Sequence, residues 1–205
     1  MLTRTKLRTE DRQAELIQAA LDLAAIKSPA EITTGDLAQA IGITQGGVFK
    51  HFESKEAIWL AVLDWTHQTL IDRLLQVAKS QQTSPLQALR AVFMAHIDFV
   101  QTYPGVPRLI FQELQHAKPK ALKGKVQLLM ADYRGLVAGL LAQAHEDGLI
   151  TAEVDTKGAV VLFISVHLRS SPVAFCAPLL CSPSDSGSIL PPKASIGVIG
   201  RGERR

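Results

Sequence analysis

The stretch TTGDLAQAIGITQGGVFKHFESKE, residues 33–56, reads as two short helices across a tight turn, followed by the start of a third. Thr33 is a capping residue, and Asp36, three positions on, can reach back to it. Leu37, Ala38 and Ile41 then share one apolar face. Gly42 ends that helix, because a left-handed backbone is cheap for glycine alone, and Ile43 can plug the angle beyond it. Ala38 is small enough to let the two helices approach. Thr44 caps the second helix, whose Val48, Phe49 and Phe52 are expected to face inward. Gln45, Gly46, Lys50 and His51 are then left pointing outward, the layout with which a short helix enters a DNA major groove. Ser54 caps a longer helix and sets Lys55 and the first N–H groups where a phosphate could sit.

Working outward, residues 1–9 are polar and basic without an apolar period and read as an arm. Ala14, Ile17, Leu21 and Ala24 mark a first helix that ends before Ser28-Pro29. A long helix runs from Lys55 to about Ser80, with Ile58, Val62, Trp65, Leu70, Leu74 and Val77 inward. Ser84-Pro85-Leu86-Gln87 starts the next, which reaches Tyr103 with Leu89, Val92, Phe93, His96, Phe99 and Val100 on one side. Pro104-Gly105 and Pro107 break the chain before a short helix through Phe111 and Leu114. After a further break near Pro119, Val126, Leu129, Met130, Tyr133, Leu136, Val137, Leu140 and Leu141 mark a long helix closing at Asp147-Gly148. Asp155 opens one more, continuously apolar over 159–166. From Ser170 onward five prolines, seven serines and four glycines leave no apolar pattern longer than a turn. No segment alternates with period two for long enough to demand a strand.

The run ITTGDLAQAIGITQGGVFKHFESKEAIWLAVL, residues 32–63, resembles the DNA-binding signature of the TetR family of bacterial transcriptional regulators. The likeness extends from about Asp11 to Leu63 and includes the glycine–hydrophobic–aromatic–x–His–Phe run ending in Ser-Lys-Glu. Phe49 stands where the family often has tyrosine, which removes a phenolic phosphate contact, and Ala57 replaces a frequent acidic residue. The resemblance implies an all-α chain. A three-helix helix-turn-helix DNA-binding domain, residues 1–54, is followed by a larger helical regulatory and dimerisation domain, 55–169, and an irregular tail, 170–205, either disordered or frame-shifted. It further implies a homodimer on a palindromic operator in double-stranded DNA, a repressor released by a small-molecule effector. The family's second C-terminal helix, which completes the dimer interface, is not found in the tail. A rival expectation is therefore a protein of the same fold with impaired dimerisation and DNA binding.

Within that layout Thr44, Gln45 and Gly46 lie at the start of the reading helix and meet base edges, whereas Thr34, His51 and Lys55 are better placed for phosphates. Gly46 and Gly47 carry no reading side chain. Specificity then leans on Gln45, which can pair with adenine, and on Lys50, which can donate to guanine. The formal net charge of +3 does not locate DNA, since basic and acidic residues balance at seventeen each up to position 168 and the whole excess lies beyond it. A DNA-binding reading rests instead on local placement, namely Arg4, Lys6, Arg8, Lys50 and Lys55.

Phe93, Phe99, Phe111, Met130 and Tyr133 have the spacing of core stripes. The resemblance adds an apolar effector pocket between the larger domain's helices, for which they are candidate walls and His96, Gln112 and Tyr133 candidate polar anchors. His67, His96, His116, His145 and His167 lie on different helices with no spaced cluster of partners, and Cys176 and Cys181 supply only half of a closed zinc site, so no metal and no cofactor is expected. No nucleophile with a nearby base and no carboxylate pair suggests an enzyme. No apolar run is long enough to span a bilayer and no signal-peptide core opens the chain, so the expected location is the cytoplasm.

Overall fold

Leu16, Ala20 and Ala24 recur every fourth residue and, with Ala19 and Leu21, form the buried stripe of α1 (Thr9–Ile26). The expected stripe shared only Leu21 and Ala24 with it fully. Ala14 is exposed and Ile17 half-buried, because the large side chain of Leu16 sets the inward direction. The computed structural model describes residues 9–81, 84–117 and 120–151 together with positions 155, 158 and 160. Every regular element among them is a helix: α2 (Thr34–Ala40), α3 (Gln45–Val48), α4 (Lys55–Ser80), α5 (Pro85–Thr102), α6 (Gly105–Gln115) and α7 (Ala121–Glu146) follow α1. The basic arm over 1–8, the helix from Asp155 and the tail from Ser170 lie wholly or mostly outside the described residues.

The helix ends follow the capping chemistry. Thr33, Thr44, Ser54 and Ser84 each accept a backbone N–H from three residues on, at the starts of α2, α3, α4 and α5. At the other end of α2, Gly42 takes φ 64° while its N–H donates to the Gln39 carbonyl (3.1 Å) and the Ile43 N–H to Ala38 (2.9 Å). This reciprocal pair satisfies two orphan carbonyls and turns the chain. Gly148, at φ 68°, closes α7 in the same way. The break expected at Pro107 is shifted: α6 already starts at Gly105, and Pro107 sits in its first turn, where a missing N–H is harmless.

Packing is continuous from the N-terminal helices into the rest. α2 packs on α3 and α1, while α4 contacts α1, α5 and α7. One apolar core therefore runs from Leu16, Leu37 and Val48 through Ile58, Val62 and Leu74 to Phe99, Leu129 and Val137. Each such leucine or valine contributes on the order of 1.5–3 kcal/mol by leaving water. α6 crosses α1 very closely at Gly105, where an added Cβ would lie 2.4 Å from the Leu21 carbonyl oxygen. Only glycine lets the two backbones meet there.

Candidate nucleic-acid interface

The first turn of α2 is built on a reciprocal cap. The Asp36 N–H donates to Thr33 Oγ1 (3.1 Å), and the Thr33 N–H donates to Asp36 Oδ2 (2.7 Å). Lys27, just beyond the end of α1, donates to the same carboxylate at 3.0 Å. The Thr33 backbone bond first, and then Lys27, hold the Asp36 carboxyl down at about 2, because each favours the charged form. This corner fixes the direction in which α2 leaves α1.

Across the turn, α3 is only one helical turn long, so tertiary contacts must hold it. Val48 is fully buried and Phe52 half-buried against the core. Gln13 of α1 donates its amide N–H to the His51 carbonyl at 2.9 Å, which anchors the chain as it leaves α3. Phe49 departs from expectation: it is 50% exposed. With Val48 pointing into the core, the next residue is rotated by about 100° and cannot follow it inward.

The candidate DNA-facing residues are gathered here. Thr44 closes its cap on the Gly47 N–H at 3.1 Å. Gln45, Gly46 and Lys50 are exposed and His51 is half-buried. A Cβ at Gly46 would meet nothing within 4 Å, so this glycine leaves an open face. Thr34 and Gln45 are in direct contact, the Gln45 Nε2 donating to Thr34 Oγ1 at 2.7 Å. Lys55, at the start of α4, donates to the Ala30 carbonyl at 3.0 Å.

The residues suggested for an effector pocket are split. The rings of His96 (α5) and Tyr133 (α7) stack with centroids 5.0 Å apart, and burial pushes the Tyr133 hydroxyl pKa upward. Phe99 is fully buried and meets Tyr103 at 5.0 Å and Trp65 at 6.3 Å. Phe93, Phe111 and Met130 are half-buried. Gln112 stands apart, its Oε1 accepting the Ala30 N–H at 2.9 Å and its Nε2 donating to Glu113 at 3.3 Å. The Ala30 backbone is thus held at both ends, its N–H by Gln112 of α6 and its carbonyl by Lys55 of α4. Sequence reading missed Gln13, Lys27 and Ala30, since nothing in their local pattern announces partners distant along the chain. It also read Trp65 and Tyr103 only as packing and helix-end residues.

Among the described residues no group of three or more His, Cys, Asp or Glu side chains could hold a metal ion. No described helix is long and apolar enough to cross a membrane. Residues 16–62 match the family model of the bacterial regulatory proteins of the tetR family. The nucleoid occlusion factor SlmA of Haemophilus ducreyi is 26% identical over 106 residues, 51% of this chain and 52% of that protein, so the chain spans about half the length of this relative. The HTH-type transcriptional regulator TtgR of Pseudomonas putida is 26% identical over 168 residues, covering 78% of this chain and 79% of TtgR. Among solved structures, that of AibR in complex with isovaleryl coenzyme A and operator DNA superimposes with a TM-score of 0.65 at 18% identity, over 75% of this chain and 82% of AibR.

Proposed function

We propose that the chain, whose residues 16–62 match the TetR family of bacterial regulatory proteins, is a DNA-binding transcriptional regulator rather than an enzyme, and specifically an effector-released repressor. It acts in the cytoplasm as a homodimer on a palindromic operator. The observation that carries the DNA-reading part is the docking of α3: Val48 fixes one side in the core, leaving Gln45, Gly46 and Lys50 exposed on the other. Gln45 and Lys50 read base edges, Gly46 lets the backbone approach the groove, and Thr44 holds the helix start. Thr34, His51 and Lys55 serve the flanking phosphates, with Lys55 adding its charge to the N-terminus of α4. Residues 1–54 form the reading unit and 55–169 the regulatory and dimerising unit, joined by α4.

Release follows from geometry. Two reading helices of a dimer must sit about one DNA turn apart, roughly 34–36 Å, so a ligand that favours another separation weakens binding. The effector is a small, largely apolar molecule bound near His96 and Tyr133, with Phe93, Phe99 and Met130 on the same two helices and Phe111 on α6. The structure of AibR, which shares this fold, holds isovaleryl coenzyme A, whose branched acyl group is an example of the apolar part such a pocket could take. α6 is suited to carry the message. Gly105 touches the α1 backbone, and Gln112 accepts from the N–H of Ala30, the residue whose carbonyl binds Lys55.

Selection of the purified full chain on random-sequence duplex DNA tests the reading. A palindromic motif is expected, and in the Gln45→Ala variant its specificity should relax at one base pair per half-site by roughly 1–3 kcal/mol. Recovery of no motif at all would sink the repressor assignment.

A further inference from the structure

We propose that Thr34 is a positioning residue for base reading, holding the Gln45 carboxamide in the one orientation that prefers adenine over guanine. The inference rests on the DNA-reading role proposed for Gln45. Its own observation is the 2.7 Å bond from Gln45 Nε2 to Thr34 Oγ1, between residues eleven apart that open α3 and α2.

An exposed glutamine ordinarily samples many rotamers, and its amide can present either end to a partner. Here one of its two N–H groups is occupied by the Thr34 hydroxyl oxygen. The other N–H and the Oε1 lone pairs stay available. Adenine offers an acceptor at N7 beside a donor at N6 in the major groove, so the remaining N–H and Oε1 match it as a pair. Guanine offers acceptors at both N7 and O6, and one of them would face Oε1. A free amide could turn its NH2 toward guanine, but an amide anchored through Nε2 loses that orientation.

Thr34 is itself a firm anchor. It follows Thr33, whose backbone is bonded to Asp36, and Asp36 is bonded in turn to Lys27. Its branched Cβ restricts rotation about χ1. Gly46 and Gly47 offer no side chain that could compete with the amide, and the space above Gly46 is open. The hydroxyl hydrogen of Thr34 remains free for a phosphate, so anchoring Gln45 and touching the backbone are compatible.

The test compares the full-length parent with Thr34→Val, Thr34→Ser, Gln45→Ala and Thr34→Val/Gln45→Ala. The probes are the best duplex from a random-sequence selection, the same duplex with guanine in place of the Gln45-dependent adenine, and an unrelated duplex. Thr34→Val should lower the adenine-over-guanine preference roughly three- to tenfold, the factor expected for freeing one rotamer-rich side chain. Thr34→Ser should retain it, and the double variant should lose no more than Gln45→Ala does. A uniform loss on all three duplexes, with preference intact, would overturn the proposal and leave Thr34 a phosphate contact only. If Gln45→Ala keeps the parental preference, the base-reading role of Gln45 is what fails. NMR relaxation of the Gln45 side-chain amide in the DNA-free protein separates the two: the amide should be ordered in the parent and mobile in Thr34→Val. A mobile parental amide would refute the anchoring by itself.

Discussion

Lys55 shows how one side chain can serve two elements. Its ammonium is tied to the Ala30 carbonyl, yet it stands at the positive end of α4, where a phosphate is favoured. Lys55→Ala should weaken binding about equally on all DNA sequences and lower the slope of log affinity against log salt by roughly one unit. A titration series in salt reads this directly, and an unchanged slope would remove Lys55 from the backbone contacts. Asp36 gives a second residue-scale expectation. Its folded carboxyl sits near 2 against an ordinary 3.8, so it contributes stability that is complete above about pH 4 and is lost as pH falls toward 2. Asp36→Asn should therefore narrow its stability gap to the parent between pH 5 and pH 2.5 in urea unfolding. A gap that stays constant over that range would mean the charge of Asp36 does not support α2. Because the group is at the surface, the effect is expected to be small.

Between elements, the crossing of α1 and α6 is the most exacting contact. A methyl group at position 105 would lie 2.4 Å from the Leu21 carbonyl and 2.9 Å from Ala24 Cβ, and neither neighbour is the end of a flexible chain. Gly105→Ala should push the helices apart and destabilise the fold by roughly 1–3 kcal/mol, seen as a lowered Tm. A variant that melts with the parent would show that α6 is free to shift there. The companion contact, Gln112 to the Ala30 N–H, lies at an exposed site where water can replace it. Gln112→Ala should leave Tm nearly unchanged while loosening the coupling between α6 and Lys55. Comparing how far one effector weakens DNA binding in parent and variant measures that coupling.

At the scale of the molecule, the proposed repression would require two copies to present their α3 helices together. Light scattering at low micromolar concentration is expected to find a dimer. On synthetic operators, inserting half a DNA turn, about five base pairs, between half-sites should abolish tight binding by placing the second half-site on the opposite face of the duplex. Tolerance of that insertion would mean that each copy binds independently. Because α4 packs against α1 as well as α5 and α7, a tilt of α4 would disturb both sets of contacts, which would make this spacing responsive to the larger unit.

Local chemistry along the chain was sufficient for the side-chain-capped helix starts and the glycine stops. Thr33, Thr44, Ser54 and Ser84 cap where their side chains allow, and Gly42 and Gly148 adopt the left-handed turns that glycine favours, because each of these interactions closes within a few residues. The same locality made the short helices α2 and α3 legible, together with the resemblance carried by residues 32–63. Directions and long-range partners were not legible in this way. Phe49 reads as apolar and therefore inward, but Val48 had already claimed the core direction of a one-turn helix. Gln112 read as a pocket anchor, yet its partner is the Ala30 peptide eighty-two residues away, and Gln45 finds Thr34 only once the Gly42 turn has brought α2 and α3 together. Such contacts depend on where separate helices come to rest, which the packing of the whole core decides and no local spacing encodes.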